Sequence, residues 1–417
     1  MGDIFARLPE LGDGLAELYK DLHTHPELSF AEHRTAGVVA GRLRALGLEV
    51  TEGVGRTGVV GLLRNGDGPT VLLRADFDAL PVEERTGLPY ASTARGTDPD
   101  GNDVPVMHAC GHDVHVTCLI GALDLLAGDR ESWSGTVMAV FQPAEELGSG
   151  AQAMVDDRLF ERFGTPDVVL GQHVAPAPAG WVGIHAGPAF AGSDGLRVTL
   201  YGKGGHGSRP ETTIDPVVMA AATIMRLQTI VSREVAGGET AVVTVGSVHA
   251  GTKENIIPDE AELKLNIRSY TEPVRAKVLG AVERIVKAEA AAAGALKDPV
   301  IESLHGFPAL VNDVTATARV ESVLKATFGE DKVIDPGAVT GSEDVGVFAT
   351  AAGVPLAYWL LGGIDPETYL KALQAGTVEQ DIPANHSPLF APVIEPTLGT
   401  GVKALVAVAF EWLSPHR

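Results

Sequence analysis

The chain has 417 residues, with 32 Lys and Arg against 54 Asp and Glu, which gives a formal net charge of −22 at pH 7. This length exceeds one typical hydrophobic core, so we expect at least two domains. The negative charge repels polyanions and excludes nucleic acid and acidic membrane surfaces as partners. A hydrophobic fraction of 45% with 49 glycines is typical of a soluble, turn-rich α/β protein.

In the first part of the chain, residues 1–188, short apolar runs alternate with helix-like segments. The runs cover residues 57–65, 70–80, 135–146 and 167–174, and the clearest helical pattern covers 115–128. Continuous apolar strands with helices between them indicate a buried sheet that is covered on both faces. Residues 1–188 are therefore predicted to form the first part of an α/β domain.

The pattern changes in the middle of the chain, over residues 189–305. Strands at 195–202 and 261–270 alternate apolar and polar residues, so that one face of each strand is predicted to meet solvent. This second segment is predicted to be a smaller α+β domain inserted into the first. The α/β pattern resumes over 306–417, which we expect to complete the first domain.

Proline at the first turn marks two helices in the inserted segment, one that opens at Asp215 and one that opens at Thr271. The predicted order is strand, helix, strand, strand, helix. This order predicts a small sheet with both helices on one face.

The two cysteines, Cys110 and Cys118, predict a reducing compartment. If both lay on one helix they would be about two turns apart, too far to form a disulfide. No apolar run reaches the roughly 18 residues of a membrane span, and the first residues lack the apolar core of a signal peptide. We therefore expect a cytoplasmic protein without a membrane partner.

Metal-ligating residue types gather where predicted strands end, which is where open α/β sheets place their ligand sites. Such strands lead into Asp76, Asp78, Glu145, Glu146 and His173, and other segments add Cys110, His112 and His386 to the set. Each of these residues alone has a structural explanation, since a cysteine is often a small buried apolar residue. Their combination of thiolate, imidazole and carboxylate groups instead favours a transition-metal site for zinc or manganese.

The adjacent carboxylates of Glu145 and Glu146 point to a hydrolase. Two buried neighbouring carboxylates repel each other and need a cation or a shared proton. One carboxylate could bind metal while the other takes a proton from a metal-bound water molecule. An acidic pair on a solvated helix is the structural alternative, but this pair follows an apolar strand.

Six segments resemble the M20 metallopeptidase family. They are RADFDALP (74–81), MHACGHDVH (107–115), FQPAEELGSGA (141–151), GQHV (171–174), GKGGHGSRP (202–210) and ANHSP (384–388). Within the family they are most similar to the amidohydrolase branch of N-acyl-L-amino acid amidohydrolases, hippurate hydrolases and auxin-conjugate hydrolases. The resemblance implies a zinc-peptidase-like catalytic domain with a mixed central sheet, interrupted by a lid domain that mediates dimerisation.

The resemblance also assigns roles to single residues. Glu145 matches the general base of the family, and five positions match its metal ligands: Cys110, His112, Glu146, His173 and His386. Where the wider family has a histidine ligand, this chain has Asp76, as does the amidohydrolase branch. Asp78 is then expected to support an imidazole, and neither His108 nor His115 is expected to bind metal.

Three residues of the inserted segment also match functional positions of the family. By resemblance, His206 reaches an active site, often that of the partner subunit, and stabilises the oxyanion of the tetrahedral intermediate. Asn255 and Arg268 are similar to residues that grip the substrate carboxylate. A solvated charge on the polar face of a strand is the alternative for Arg268.

These features together predict a metal-dependent amidohydrolase that cleaves N-acyl-amino acids to a carboxylic acid and a free amino acid. One or two divalent ions (Zn, Mn, Co or Ni) are the expected cofactor. The resemblance implies a homodimer or homotetramer assembled through the lid domain.

Three alternatives remain open at this point. A dipeptidase or aminopeptidase could use the same scaffold. Cys110 could act as the nucleophile of a thiol hydrolase with a nearby histidine as base. The ligands could also hold a structural or stored zinc ion, although Glu145 would then have no function beside Glu146.

Overall fold

The computed structural model describes residues 4–413 of the chain, which divide into two compact units. The large unit runs up to Gly187 and also contains Val311–Gly337 and the residues from Asp344 onward. The small unit contains Pro188–Leu310 and Ala338–Glu343. No helix among the described residues is long and apolar enough to cross a membrane.

The helices are distributed over both units, with α6 and α7 in the small one. Their bounds are α1 (Leu8–Thr24), α2 (His33–Ala45), α3 (His112–Gly128), α4 (Gly150–Asp156), α5 (Leu159–Phe163), α6 (Pro216–Thr229), α7 (Glu272–Ala292), α8 (Val314–Phe328), α9 (Gly346–Ala352), α10 (Pro366–Ala375), α11 (Val378–Asp381) and α12 (Ile394–Leu413). Short 3-10 or π turns lie at Ile4–Arg7, Arg130–Ser132, Pro210–Thr212, Ile230–Glu234 and Glu330–Lys332.

The strands form one large sheet and several smaller ones. Their bounds are β1 (Glu49–Val54), β2 (Gly58–Asn65), β3 (Thr70–Asp76), β4 (Arg95–Thr97), β5 (Asp103–Pro105), β6 (Gly135–Gln142), β7 (Val168–Pro178), β8 (Val182–Ile184), β9 (Gly187–Phe190), β10 (Gly192–Tyr201), β11 (Gly205–His206), β12 (Ala241–Ala250), β13 (Ile256–Ile257), β14 (Glu260–Ser269), β15 (Val300–Phe307), β16 (Leu310–Asn312), β17 (Val333–Ile334) and β18 (Leu356–Ile364).

The large unit is built on a mixed eight-stranded sheet in the order β1-β2-β6-β3-β7-β18-β8-β17. Its four central strands, β6, β3, β7 and β18, are parallel to one another. Strand β3 is buried at every position from Val71 to Asp76, as expected when both faces of a sheet are covered. The predicted fold class, a mixed α/β sheet flanked by helices, is therefore confirmed.

The small unit is an antiparallel sheet in the order β12-β14-β10-β15. On β14, Leu263, Leu265 and Ile267 are buried and share one core with apolar residues of α6 and α7. Asp215 caps α6 by accepting from the backbone N–H of Val217 at 2.8 Å. The prediction of two helices on one sheet face is thus confirmed.

Two features of the fold differ from the sequence-based expectation. Strand β15 did not stand out because most of its residues are exposed, so no apolar alternation marks it. Helix α3 begins at His112, three residues before the predicted start, because Gly111 adopts the left-handed conformation that opens it. His112 therefore lies in the first turn of a helix.

Candidate active site

The candidate site lies where three adjacent parallel strands end. Asp76 is the last residue of β3, the Glu145-Glu146 pair follows β6, and His173 lies in β7. Strand β3 pairs with β6 on one side and β7 on the other, so these side chains converge at one edge of the sheet. Carboxyl ends of parallel strands are the usual place for a ligand site in this architecture.

Gly111 separates Cys110 from His112 and sets the angle between their side chains. Its φ is +77°, and a Cβ added there would lie 2.4 Å from Cγ1 of Val174. Only glycine fits both the left-handed backbone and the close approach to β7. The Cys-Gly-His sequence can therefore place a thiol and an imidazole in the same site from the start of α3.

The turn after β6 brings both glutamates of the pair into the site. Ala144 has a φ of +47°, an uncommon conformation for a residue with a Cβ, and such strain tends to occur at functional sites. Asp78 accepts the backbone N–H groups of Glu145 and Glu146, each at 3.1 Å. Glu145 is only 6% exposed, and the side chain of Glu146 is 8% exposed, so both carboxylates are largely removed from solvent.

Hydrogen bonds fix which nitrogen of two imidazoles is available to a metal. His173 Nδ1 lies 2.8 Å from the carbonyl oxygen of Val174, which can only accept, so its Nε2 carries the lone pair. His112 Nδ1 lies 3.2 Å from Asp78 Oδ1, which likewise leaves Nε2 free. A carboxylate or carbonyl partner of this kind is typical of metal-ligating histidines, and Asp78 supports an imidazole as expected.

The ligand atoms of the predicted set form overlapping groups whose members lie within 4.8 Å of one another. One group is Cys110, Glu146 and His386, and another is His112, Glu145 and Glu146. The two oxygens of Glu146 face different imidazoles, with Oε1 3.8 Å from His112 Nε2 and Oε2 3.3 Å from His386 Nε2. This arrangement suits one or two divalent cations.

Two buried atoms support the fit of a cation on this chain's own chemistry. His112 Nε2 and Glu146 Oε1 have no hydrogen-bond partner among the described residues. Buried polar atoms without partners are rare because each one costs free energy, commonly about 1–3 kcal/mol. A divalent cation would satisfy both atoms at once, and the thiol of Cys110 lies close to a second imidazole, 3.6 Å from His173 Nε2.

The electrostatics of the cluster depend on burial and on the surrounding carboxylates. Burial alone would lower the pKa of His112, but the charges of Asp76, Asp78 and Glu146 raise it to about 10. Burial lowers the pKa of His173 to about 4. Burial and the nearby carboxylates raise the pKa of the Cys110 thiol well above its usual value, so it needs a cation to become a thiolate.

His115 and Asp76 also lie in the cluster, in a group with His112 and His173. His115 Nδ1 lies 2.5 Å from Asp76 Oδ1, and His115 Nε2 accepts the N–H of Val174 at 2.8 Å. Both ring nitrogens are therefore engaged within the protein. His115 is therefore part of a buried polar network.

The predicted residues of the inserted segment all lie in the small unit. Strands β11 and β13 pair His206 with Ile256, which brings Asn255 next to the His206 loop. His206 Nδ1 accepts the N–H of Ser208 at 3.1 Å, so Nε2 carries the hydrogen and can donate. The histidine and Asn255 are both exposed.

Arg268 is held by its own unit. Its guanidinium donates to the carbonyl oxygen of Thr340 at 2.6 Å, to Ser342 Oγ at 3.2 Å and to Asn266 Oδ1 at 3.2 Å. These bonds attach the 338–343 segment to β14. The three bonds use Nε and Nη1 of the arginine. Its third nitrogen, Nη2, can still donate to a carboxylate.

Sequence reasoning assigned no function to three polar residues around the site. They are Arg74, His115 and Asn385, whose Nδ2 donates to the carbonyl oxygens of Val174 at 3.1 Å and Cys110 at 3.3 Å. Arg74 is fully buried, donating to Asp76 Oδ2 at 2.7 Å. A charged residue inside the otherwise apolar run of β3 was the one available signal.

The fold and the site define a metallohydrolase of the α/β class, and comparison with known proteins gives the family. A model of peptidase family M20/M25/M40 matches residues 72–373, and the chain belongs to this family. The chain is 38% identical to hippurate hydrolase of Campylobacter jejuni, over 82% of this chain and 87% of that protein. It is also 38% identical to thermostable carboxypeptidase 1 of Saccharolobus solfataricus, over 85% and 86% of the two chains.

A solved structure from Bacillus subtilis gives the same fold. It is described as a dinuclear metal binding peptidase of the M20 family and is 28% identical to this chain. Its TM-score is 0.76, with 96% of this chain and 98% of that chain covered. The resemblance to the M20 family, the fold class and the divalent-metal cofactor are thereby confirmed.

Proposed function

We propose that the protein hydrolyses the amide bond of N-acyl-amino acids, such as N-acetyl or benzoyl conjugates, to a carboxylic acid and a free amino acid. The observation that carries this proposal is the buried Glu145-Glu146 turn beside the imidazoles of His112 and His386. In this turn, one carboxylate can bind a cation and the other can accept a proton. The similarity to hippurate hydrolase supports the substrate class.

The residues proposed to hold the metal are Cys110, His112, Glu146, His173 and His386. When bound, divalent cations polarise an acyl carbonyl and make water more acidic. Hydrogen bonds to Asp78 and to the Val174 carbonyl orient two of these ligands before any ion arrives. We propose that this site binds one or two ions of zinc, manganese, cobalt or nickel, all of which accept such mixed ligands.

Glu145 is the proposed general base and acid. Its carboxylate takes a proton from the attacking water and then gives that proton to the leaving amine nitrogen, which balances the reaction. Burial keeps bulk water away from this carboxylate, and the N–H bond to Asp78 holds its backbone in place.

The small unit is proposed to act as a lid over the substrate. Its His206 presents an Nε2–H donor that suits the oxyanion of a tetrahedral intermediate, in its own subunit or in that of a partner. Asn255 and Arg268 are proposed to bind the substrate carboxylate.

We also propose a homodimer or homotetramer formed through the small unit. Strand β12 is an edge strand of its sheet, and Val242 and Val248 on it are 41% and 51% exposed. Edge strands with exposed apolar residues are ready to pair with another chain. Light scattering of the purified protein should give a mass at least twice that of one chain.

Two other functions are less well supported. A thiol hydrolase would need a Cys110 thiolate beside a protonated imidazole, whereas burial raises the pKa of Cys110 and lowers that of His173. The observation that supports a peptidase on the same scaffold is the similarity to a thermostable carboxypeptidase.

A substrate panel separates the two metal-dependent functions. Apoenzyme reconstituted with Zn²⁺, Mn²⁺, Co²⁺ or Ni²⁺ would be assayed on hippurate, N-acetyl-amino acids and unblocked dipeptides. The proposal predicts the highest kcat/KM on an N-acylated substrate and loss of activity with a chelator. A clear preference for unblocked dipeptides would establish the peptidase instead.

A further inference from the structure

A chain of buried hydrogen bonds links the centre of the large sheet to one of the proposed metal ligands. It begins at Arg74 in β3, whose Nη1 donates to Asp76 Oδ2 at 2.7 Å. It continues from Asp76 Oδ1 to His115 Nδ1 at 2.5 Å, and from the Val174 N–H to His115 Nε2 at 2.8 Å. The side chains of Arg74, Asp76 and His115 are all at most 1% exposed.

The donors and acceptors of this chain allow only one arrangement of hydrogens. A backbone N–H can only donate, so His115 Nε2 is the acceptor and carries the lone pair. The hydrogen of the neutral ring is then on Nδ1, where it is donated to the Asp76 carboxylate. His115 is therefore a neutral ring with a fixed tautomer, and a metal could bind Nε2 only by displacing the Val174 N–H.

The backbone of Val174 connects this series of hydrogen bonds to His173. Its N–H is held by His115, and its carbonyl oxygen accepts from His173 Nδ1 at 2.8 Å. Asn385 Nδ2 donates to the same carbonyl oxygen at 3.1 Å. The two peptide groups on either side of the Val174 Cα are thus both held by side chains, and together they set the orientation of the His173 ring.

The two oxygens of Asp76 are both engaged. Oδ1 accepts from His115, and Oδ2 accepts from the fully buried guanidinium of Arg74. The guanidinium is fixed in turn by Gln142 Oε1 at 2.8 Å and the Tyr358 hydroxyl at 3.1 Å. Direct ligation of a metal by Asp76 would place a second cation beside an oxygen already bonded to Arg74 and would weaken this buried charge-assisted bond, which is costly.

We propose that Arg74, Asp76 and His115 form a positioning relay that fixes the backbone of Val174 and thereby the His173 imidazole, and that neither Asp76 nor His115 is itself a metal ligand. The relay rests on the proposed function only in taking His173 as a ligand. It gives a physical reason for an aspartate at position 76: the carboxylate orients a second histidine instead of binding the ion.

The test compares His115→Ala, His115→Gln and His173→Ala in the full-length protein. Glutamine carries a donor and an acceptor about as far apart as the two ring nitrogens, so it can bridge Asp76 and the Val174 N–H, but it is a poor substitute for an imidazole ligand. Affinity for Zn²⁺ would be measured by competition with a chelating dye, and site geometry from the absorption spectrum of the Co²⁺ form.

The relay predicts that His115→Ala weakens Zn²⁺ binding by about 10- to 100-fold, the usual effect of losing a residue that supports a ligand, with unchanged metal stoichiometry. His115→Gln should restore most of the affinity. His173→Ala should lose more affinity than His115→Ala, together with a larger change in the Co²⁺ spectrum. If His115→Ala lowered the number of ions bound, and His115→Gln did not restore it, His115 would be a ligand and the relay wrong.

His108→Ala is the matched control. His108 is a buried histidine four residues before His112, and neither of its ring nitrogens has a hydrogen-bond partner among the described residues. Its loss should lower stability without changing Zn²⁺ affinity.

Equal affinities for wild type and His115→Ala would also overturn the relay. Because metal binding is the readout, a failure of the proposed substrate class would leave this result interpretable.

Discussion

At the scale of single residues, the site depends on buried carboxylates that differ in protonation state. Burial opposes ionisation of Asp76, but Arg74 and two histidines hold its pKa well below the usual value. Glu32 accepts from the N–H of Ala144, next to the Glu145 turn, and forms no ion pair among the residues that the structure describes. Burial and the charge of Asp78 raise the pKa of Glu32 to about 7. A buried carboxyl group is therefore ionised at one position and protonated below neutral pH at another.

This difference predicts a pH-dependent stability. The pKa of Glu32 is about 7 in the folded protein against its ordinary value of 4.5, so the folded state retains a proton that the unfolded state loses between these values. The contribution of Glu32 to the free energy of unfolding should fall as pH rises from 4.5 to 7, by about 3 kcal/mol. It should be constant above and below that window.

Glu32→Gln should remove this penalty. The amide can still accept from the Ala144 N–H and can donate to the Thr57 hydroxyl, the two partners of the carboxyl group. Denaturant unfolding at pH 5 and pH 8 should therefore show the variant gaining stability relative to wild type at the higher pH. The exposed Glu131→Gln is the control, and an equal response of both variants would contradict the assignment.

At the scale of elements, the Cys-Gly-His junction between a loop and α3 decides the geometry of the site. Gly111→Ala places a Cβ 2.4 Å from Val174 Cγ1 at a φ of +77°. We expect weaker Zn²⁺ binding, because Cys110 and His112 must both shift, and a loss of unfolding free energy above the roughly 1–2 kcal/mol cost of the left-handed conformation alone.

Gly47→Ala is the control for the backbone cost. Gly47 has nearly the same φ, +79°, with open space around its Cβ position. Its substitution should cost the roughly 1–2 kcal/mol of the conformation and leave Zn²⁺ affinity unchanged. Equal effects of the two substitutions on affinity and stability would argue against steric control of the site by Gly111.

Patterns that repeat along a strand or helix were readable from the sequence, and contacts between distant segments were not. The continuous apolar runs of β3 and β6 and the alternation of β14 identified those strands before the structure. Strand β15 was missed because it is largely exposed. The polar residues at the strand ends could be named, because metal chemistry restricts residue types.

The supporting polar network could not be derived in the same way. Arg74 and Tyr358 are 284 positions apart, and no periodicity reports that they share a hydrogen bond. The involvement of His115 depends on the exact placement of the Val174 peptide. Such contacts follow from the folded backbone, which single-sequence reasoning does not supply.

At the scale of the whole molecule, the chain combines a large unit that carries the metal-ligating cluster and a small unit that carries His206, Asn255 and Arg268. The segment 338–343 belongs to the small unit although it lies far along the chain from β14. Arg268 and Tyr270 bind this segment through the carbonyl oxygens of Thr340 and Val339. Side chains at the end of β14 thus bind the backbone of segment 338–343 within the small unit.

His206→Ala tests whether the small unit takes part in catalysis. Loss of one oxyanion donor typically lowers kcat by about 10²- to 10³-fold, and we expect a fall of that order with little change in KM or in bound metal. His305→Ala, at an exposed histidine of the same unit outside β12, is the control. A kcat equal to that of wild type would remove His206 from the proposed mechanism.

The central claim is that Glu145 moves the proton in a metal-dependent hydrolysis of N-acyl-amino acids. The most direct measurement is the turnover of hippurate or an N-acetyl-amino acid by Glu145→Gln, with the metal content of the same sample determined in parallel and Glu131→Gln as control. The account predicts metal content equal to wild type and a kcat lower by about 10²- to 10⁴-fold. Near-normal turnover by the fully metal-loaded variant would contradict it.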